Sequence, residues 1–161
     1  MKIKTAVIPG SFDPVTVGHL SLIKKAADTF ENVTVLLCHN FDKKTLFSFE
    51  QRLEMLRAAV SELDNVRVDS HTGWLYDYLK NTENAVLFKG VRNTVDFEYE
   101  KKMADFNLEH SGVETLFALS DAEMSNISST KVRELLRDGG DWEKLIPQNA
   151  QKYIKKFYIN I

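Results

Sequence analysis

Residues 5–26 read TAVIPGSFDPVTVGHLSLIKKA, and this stretch decides the fold. An apolar run ends in a Pro-Gly pair at 9–10, which stops strand pairing and lets the backbone approach a ligand closely. From Val17 onward apolar residues recur at helical spacing, so the stretch predicts a strand followed closely by a helix. The start of such a helix has unpaired N–H groups and the positive end of the helix dipole, which form an anion site. Ser11 and His19 would flank that site, and the residues alone fit either a phosphate site or a simple capped connection.

The rest of the chain repeats this alternation of strand and helix. Short β-branched or apolar runs predict strands at 5–10, 32–38, 65–70, 84–90 and 114–120. Longer amphipathic patterns predict helices at 17–30, 48–63, 95–109, 129–137 and 148–157. Alternating units with short links predict an α/β fold, a doubly wound, Rossmann-like parallel sheet of five strands flanked by helices. We expect a single domain over residues 1–161, with ligands bound at the carboxyl ends of the strands.

Local signals refine this outline. Ser48 and Gln51 have the spacing of a capping box at the start of the second helix. The run RDGGDW at 137–142 indicates a helix stop followed by a turn. The pair Trp74-Leu75 is interpreted as part of the core. In the helix at 95–109, one line of apolar residues comprises Val95, Tyr99, Met103 and Phe106.

Composition places the protein among ordinary soluble globular domains. Apolar residues make up 43% of the chain and charged residues 27%. The net charge of -2 gives no indication of a nucleic-acid partner, although local basic clusters could still bind small phosphorylated ligands. A lone cysteine, Cys38, suits a reducing compartment and is interpreted as a structural thiol. With no apolar leader and no run long enough to cross a membrane, we expect a cytoplasmic protein without membrane contact.

Several motifs together resemble a known enzyme family. GSFDPVTVGH (10–19) is similar to the nucleotidyltransferase signature whose T/H-x-G-H element grips nucleotide phosphates, and ISSTKVRE (127–134) resembles the second signature of that superfamily. Over essentially the whole chain, KKTLFSFEQRLEML (43–56), KGVRNTVDFEYE (89–100) and MADFN (103–107) resemble the bacterial phosphopantetheine adenylyltransferases. The resemblance implies transfer of an adenylyl group from ATP to 4′-phosphopantetheine, giving 3′-dephospho-coenzyme A and pyrophosphate. The acceptor phosphate is already an anionic nucleophile, so in-line attack without a covalent enzyme intermediate is expected.

The resemblance also implies roles for individual residues. His19, Lys43 and Arg92 would be catalytic, while Ser11, Lys43, Leu75 and Lys89 would bind phosphopantetheine. The residues expected to bind ATP are Ser11, Phe12, His19, Gly90, Val91, Arg92, Glu100, Met124, Ser125, Asn126, Ile127, Ser128, Ser129 and Thr130. Mg²⁺ would be carried with ATP, coenzyme A would be a product-type ligand, and a homohexamer is expected.

From composition alone some of these residues would have no function. Lys43 would be interpreted as a solvated loop lysine, and Glu100 as part of a solvated acidic helix face. Ser128 would be interpreted as a helix N-cap, a role compatible with an anion site. The other histidines, His39, His71 and His110, show no metal-ligand spacing, so no protein-held metal is expected.

The sequence departs from the family pattern at four positions. Lys89 stands where the family usually has arginine, which exchanges a bidentate phosphate grip for a point charge. Met124 and Asn126 replace aromatic residues, and Leu108 replaces a common arginine. These departures leave two alternatives open. One is an enzyme of the same fold acting on another phosphorylated acceptor, such as nicotinamide mononucleotide or glycerol 3-phosphate. The other is an inactive protein that binds nucleotide or coenzyme A.

Overall fold

The computed structural model describes residues 4–39 and 44–158. Within these ranges the strands are Thr5–Gly10 (β1), Asn32–His39 (β2), Val66–Thr72 (β3), Ala85–Val91 (β4) and Thr115–Leu119 (β5). The helices are Val17–Thr29 (α1), Phe49–Ala59 (α2), Leu75–Lys80 (α3), Thr94–Ser111 (α4), Ser129–Asp138 (α5) and Gln148–Tyr158 (α6). Single turns of 3-10 helix span Ala122–Met124 and Glu143–Leu145.

The strands form one parallel sheet in the order β3-β2-β1-β4-β5. Thr5 of β1 pairs with Asn32 of β2 on one side and with Ala85 of β4 on the other. The predicted doubly wound, Rossmann-like fold is therefore confirmed. The chain reverses its direction of winding between β1 and β4, so the connections after these two strands diverge and leave a crevice at their carboxyl ends.

The two faces of the sheet are covered unequally. Ala6 and Ile8 of β1 point to what we call the first face, and Val7 between them points to the second face, as the alternation along a strand requires. The first face is packed by four helices, α1, α2, α5 and α6, which share a large apolar cluster with the sheet. On the second face, the buried cluster consists of Val7, Leu36, Leu79 and Leu87.

Helix α4 lies over the second face with little of its surface buried. Among its 18 residues, the buried one is Asn107. The apolar line predicted along this helix is instead solvent-exposed in large part, with Val95 77% and Tyr99 65% exposed. Leu119 at the end of the edge strand β5 is 79% exposed. A substantial apolar surface of α4 and β5 is therefore left without cover inside the chain.

Trp74 was predicted to lie in the core, and this is wrong. Its side chain is 63% exposed because the residue precedes α3 and lies on the surface between α3 and α4. There it stacks on Tyr76, with ring centroids 5.9 Å apart, and contacts Phe106 at 6.2 Å. Leu75, the other half of the predicted pair, packs against the buried cluster of the second face.

The helix ends agree with the predicted signals in two of three cases. Ser48 and Gln51 form the expected reciprocal capping box at the start of α2. α5 ends at Gly139, whose φ of 68° is the left-handed conformation that glycine adopts freely. α2 ends at Ala59 and not at 63, because the last apolar residues of its stripe, Val60 and Leu63, pack on the core from a turn.

Two further observations concern the lone cysteine and membrane contact. Cys38 is partly buried at the end of β2, and burial raises the pKa of its thiol, which favours the protonated, unreactive form. Over residues 4–39 and 44–158, the helices include none with the length and apolar character needed to cross a membrane.

Candidate active site

A cavity of about 170 Å³ lies at the crevice between the carboxyl ends of β1 and β4. Its position follows from the sheet order, since this is the point where the winding reverses. The lining comes from the end of β1, the β1–α1 connection, the first turns of α1, the end of β4, the first turns of α4 and the segment before α5. The lining residues are Ile8, Pro9, Gly10, Phe12, Thr16, Gly18, His19, Leu22, Lys89, Gly90, Arg92, Glu100, Ser120, Met124 and Ile127.

The β1–α1 connection turns sharply at Phe12. This residue has a φ of 42°, in the left-handed region that non-glycine residues rarely adopt, and its side chain is 3% exposed. The ring lies so close to Gly10 that a Cβ there would be 2.9 Å from its Cζ, so any other residue at this position would displace the ring. The ring also contacts the imidazole of His19 edge to face, with centroids 5.0 Å apart. Phe12 thus forms the floor under His19.

Asp13 fixes the same connection through buried polar contacts. Its buried carboxylate accepts hydrogen bonds from the backbone N–H groups of Leu46 at 2.9 Å and Phe47 at 3.0 Å. Arg133 of α5 donates to the Asp13 carbonyl oxygen at 2.6 Å, and the same Nη1 lies 3.8 Å from the carboxylate. The Asp13 side chain therefore joins the β1–α1 connection to the segment before α2. Through its carbonyl group, Asp13 is also joined to α5.

Two more side chains hold this connection through its carbonyl groups. Arg52 of α2, itself 2% exposed, donates to the Ser11 carbonyl oxygen at 2.7 Å. Ser129, in the first turn of α5, donates through Oγ to the Pro14 carbonyl oxygen at 2.8 Å. These hydrogen bonds satisfy two carbonyl groups of the connection and help to fix its path.

His19 lies in the first turn of α1 at the cavity wall. Thr16 caps the helix: its Oγ1 accepts from the His19 backbone N–H at 3.3 Å, and its own backbone N–H donates to His19 Nδ1 at 3.0 Å. Burial, with a further contribution from the positive charge of Arg92, lowers the pKa of His19 to about 4. The imidazole is therefore neutral at physiological pH.

The opposite wall carries the charged groups. Lys89 Nζ lies 3.1 Å from Glu100 Oε2, and both side chains are largely shielded from solvent, with 25% and 19% exposed. Arg92 is exposed at the rim, and its backbone N–H donates to Asp96 Oδ2 at 3.1 Å where α4 begins. Because Glu100 neutralises Lys89, the charged side chains of the lining leave the Arg92 guanidinium as an excess positive charge.

Comparisons with known proteins show to which family this chain belongs. A family model described as cytidylyltransferase-like matches residues 7–135. The chain is 43% identical over 154 residues to the phosphopantetheine adenylyltransferase of Corynebacterium efficiens, covering 95% of this chain and 97% of that protein. It is 41% identical over 152 residues to the protein of the same name from Clostridium novyi, covering 94% of each. This chain belongs to the phosphopantetheine adenylyltransferase family.

A solved structure supports the fold independently. The putative nicotinate-nucleotide adenylyltransferase of Vibrio parahaemolyticus superimposes with a TM-score of 0.66 over 96% of this chain and 99% of that one. At 18% sequence identity this likeness concerns the fold alone. The sequence relatives thus identify the family, and both kinds of comparison support its nucleotidyltransferase fold.

The structure brings together eight of the residues that the family resemblance predicted for the site. These residues line one cavity although they come from four separate segments: Phe12, His19, Lys89, Gly90, Arg92, Glu100, Met124 and Ile127. Lys43 lies outside the described residues, so its predicted role stays a prediction.

The other predicted residues in the described part of the chain do not line the cavity. Val91 is buried at the end of β4, and Ser125 donates to the Ala122 carbonyl oxygen within a turn. Ser128 caps α5 by accepting from the Lys131 backbone N–H at 3.1 Å, as its N-cap interpretation predicted. The remaining members of this group are Ser11, Leu75, Asn126, Ser129 and Thr130.

Sequence reasoning missed one group at the site altogether. Asp13, Arg52 and Arg133 hold the β1–α1 connection, but each acts on residues at least 33 positions away in the chain. No local pattern marks such contacts. Thr16 and Ser120 also line the cavity, and the positions of both at strand-to-helix connections could have pointed to them.

The described residues of the cavity supply few ligands for a metal ion. In the part of the chain that the structure describes, no three His, Cys, Asp or Glu side chains form a cluster suited to a metal ion. Glu100 is the carboxylate at the cavity, and it is paired with Lys89. The donor set fits a hard cation that takes most of its oxygen ligands from phosphates and water.

Proposed function

We propose that this protein transfers the adenylyl group of ATP to 4′-phosphopantetheine, giving 3′-dephospho-coenzyme A and pyrophosphate in coenzyme A biosynthesis. The observation that carries the proposal is the cavity at the switch point of the sheet, where His19, Arg92 and the start of α1 converge. The names of the relatives, at 41–43% identity over nearly the whole chain, supply the two substrates.

The proposed reaction needs positioning and charge stabilisation more than proton transfer. The acceptor phosphate attacks the α-phosphorus of ATP in line, and the bond to the pyrophosphate breaks as the new P–O bond forms. Negative charge accumulates on the equatorial oxygens and the leaving group, so N–H donors and cations aimed at them lower the barrier. His19 and Arg92 are the groups that the cavity offers for this purpose. Lys43 is proposed to bind and orient the acceptor.

The start of α1 is proposed as the phosphate cradle. The His19 backbone N–H is used by Thr16, which leaves the N–H groups of Val17 and Gly18 for a ligand. A Cβ on Gly18 would lie 3.8 Å from the Ile127 carbonyl oxygen, so the segment leading into α5 is adjacent. ATP would then lie along this seam, with the segment 124–130 on one side and Gly90 to Arg92 on the other.

Lys89 and Glu100 are proposed to act together on the phosphate groups. The family arginine at this position would present a planar fork, whereas lysine presents a single ammonium. Glu100 holds that ammonium at the cavity wall in the free protein. We propose that Lys89 binds the acceptor from this position and that Glu100 contacts the nucleotide. Mg²⁺ would enter with ATP and neutralise charge on its phosphates.

The reaction can be tested by pyrophosphate release from the full-length protein. ATP and Mg²⁺ are supplied with 4′-phosphopantetheine, nicotinamide mononucleotide or glycerol 3-phosphate in parallel. Release with 4′-phosphopantetheine and not with the others is the expected result. Release only with another acceptor contradicts the proposed substrate, and nucleotide binding without any release identifies an inactive binding protein. Coenzyme A should compete with 4′-phosphopantetheine as a product-type ligand.

We also propose assembly into a homohexamer. The number six follows from the family resemblance, while the exposed apolar surface of α4 and β5 supports association between copies of this chain. Sedimentation should show a multimer for the wild-type protein, and Leu119→Glu should shift it toward smaller species. Lys24→Glu, a charge reversal at an exposed position of α1, is the control and should leave the size unchanged. A monomeric wild-type protein contradicts the proposal.

A cytoplasmic location is proposed on the same family ground. It is consistent with a biosynthetic role and with the lone cysteine.

A further inference from the structure

The ring of His19 is approached by two donors at the same atom. The backbone N–H of Thr16 lies 3.0 Å from Nδ1, and the Thr16 hydroxyl oxygen lies 3.1 Å from it. A backbone N–H can only donate a hydrogen bond, so Nδ1 must offer a lone pair. The Thr16 hydroxyl accepts from the His19 backbone N–H, and its own hydrogen is therefore free to point at Nδ1 as well.

Both donors are fixed by the fold. Thr16 is 1% exposed, so neither its N–H nor its hydroxyl can turn to water instead. Both residues belong to a reciprocal capping box in which the third helical residue reaches back to the cap. That third residue is usually glutamate or glutamine, and here the imidazole takes its place. The cap of α1 therefore sets the rotation and the protonation of a site residue.

The charges around the ring favour the same state. Arg92 and Lys89 face the cavity from the end of β4, and Glu100 faces it from α4, paired with Lys89. Among the described residues of the lining, the cation without a carboxylate partner is Arg92, which opposes a second positive charge on the imidazole. Burial and Arg92 accordingly lower the pKa of His19 to about 4.

We propose that Thr16 is a positioning residue that holds His19 as the neutral imidazole with its proton on Nε2. His19 then presents one fixed N–H to the phosphate oxygens and acts as a hydrogen-bond donor without giving up its proton. This inference deepens the proposed function, on which it rests for the identity of the phosphate ligand. The state of the ring itself is a property of the free protein.

The ring state can be read without any substrate. In the ¹⁵N-histidine-labelled full-length protein, the Nδ1 resonance of His19 should be that of an unprotonated nitrogen and Nε2 that of a protonated one. A His19→Gln sample assigns the signals among the four histidines. Both resonances should stay constant between about pH 5 and 8, where an ordinary histidine titrates. A proton on Nδ1, or titration near the ordinary value of about 6.5, overturns the proposal.

The positioning role has its own kinetic test. Thr16→Val keeps the shape and the backbone N–H but removes the hydroxyl, whereas Thr16→Ser keeps the hydroxyl. The valine variant should lose roughly ten- to a hundredfold in kcat, as expected for a small displacement of a reacting group, with a smaller change in the KM for ATP. The serine variant should recover most of this loss.

A background without the imidazole separates positioning from a general structural effect. Thr16→Val introduced into His19→Ala should cause little further loss, because Thr16 acts through the ring. An equal loss in both backgrounds overturns the positioning role. If no tested acceptor supports turnover, the proposed function fails while the NMR measurement still decides the state of His19.

The pH dependence of kcat gives a third test of the protonation state of His19. A neutral donor predicts a kcat that does not fall between about pH 7 and 8, on the alkaline side of an ordinary histidine. A catalytic imidazolium would instead lose activity about tenfold per pH unit over this range. The acceptor phosphate ionises near pH 6, so loss on the acid side is expected from the substrate itself.

Discussion

The two faces of the sheet contribute differently to the site. On the first face, α1, α2 and α5 pack in a large apolar core, and side chains of α2 and α5 hold the β1–α1 connection, which is also held by the buried hydrogen bond of Asp13 to Phe47. On the second face, α4 supplies Glu100 while burying only Asn107 of its 18 residues. His19 thus comes from a densely packed layer, and the charged wall comes from a thinly packed one.

The two faces therefore hold their site residues in different ways. The first-face groups are fixed by contacts within the chain, so they should keep their geometry in the absence of ligand. On the second face, Lys89 of β4 and Glu100 of α4 are held by their mutual ion pair, and the apolar side of α4 is open. Their geometry should depend more on ligands and on neighbouring copies of the chain. The following predictions test this contrast, beginning with the largest effect.

Removal of the imidazole should have the largest effect on rate. His19→Ala takes away the donor that the first face presents to the reacting phosphates, and we expect kcat to fall roughly 10²- to 10³-fold. The thermal unfolding midpoint should also fall somewhat, because the backbone N–H of Thr16 loses its acceptor, but the variant should stay folded at the assay temperature. Pyrophosphate release measures the rate, and an unchanged kcat would contradict the role assigned to His19.

The buried carboxylate of Asp13 should matter most for stability. Asp13→Ala leaves the buried N–H group of Phe47 and the partly buried N–H group of Leu46 without acceptors, which costs about 2–4 kcal/mol in the free energy of unfolding. Denaturant titration measures the difference. Asp28→Ala on the exposed side of α1 is the matched control and should lie within about 0.5 kcal/mol of wild type. Equal effects of the two substitutions would show that the first-face network contributes little.

On the second face the effect should be smaller and should appear in binding. Lys89→Arg retains the ion pair with Glu100 and restores a bidentate donor, so the KM for 4′-phosphopantetheine should fall by roughly two- to tenfold. Lys102→Arg, an exposed lysine of α4, is the control. An unchanged or higher KM for the Lys89 variant means that the site has adapted to lysine.

The acid dependence of stability should also depend on His19. The unfolded chain binds a proton at His19 below about pH 6.5, whereas the folded protein does so only near pH 4. The free energy of unfolding should therefore fall as the pH falls from about 6.5 to 4, with no contribution from His19 above that window. His19→Gln should show a shallower decline over this range in urea titrations. Parallel curves for the two proteins would place the folded pKa of His19 near its ordinary value.

Most of the fold could be predicted because the strands and helices follow from the local periodicity of apolar residues. Five apolar runs and five amphipathic patterns correspond to the strands and to the helices other than α3. α3 was missed because its six residues are too few to show a helical period. The exposure of Trp74 was missed for a related reason, since an aromatic residue at a helix start packs on neighbouring rings as readily as in a core.

The site residues could be predicted where they lie in contiguous motifs. They could not be predicted where their roles depend on contacts between distant parts of the sequence. His19, Arg92 and Ile127 lie in quoted motifs and line the cavity together. Glu100 looked solvated by composition, because nothing local shows that α4 folds back to place it 3.1 Å from Lys89. Asp13 lies inside the first motif, yet its role depends on partners from α5 and from the segment before α2.

The bond between Arg133 and Asp13 joins residues 120 positions apart, and this spacing has a consequence for synthesis on the ribosome. All five strands are complete at Leu119, so the sheet can assemble before the residues of α5 have emerged. We expect the nascent chain to pass through a stage that has its scaffold but not a finished anion cradle. Stalled chains of increasing length should therefore acquire affinity for a fluorescent ATP analogue only after α5 has left the exit tunnel. Binding by chains that end at Leu119 would contradict this order.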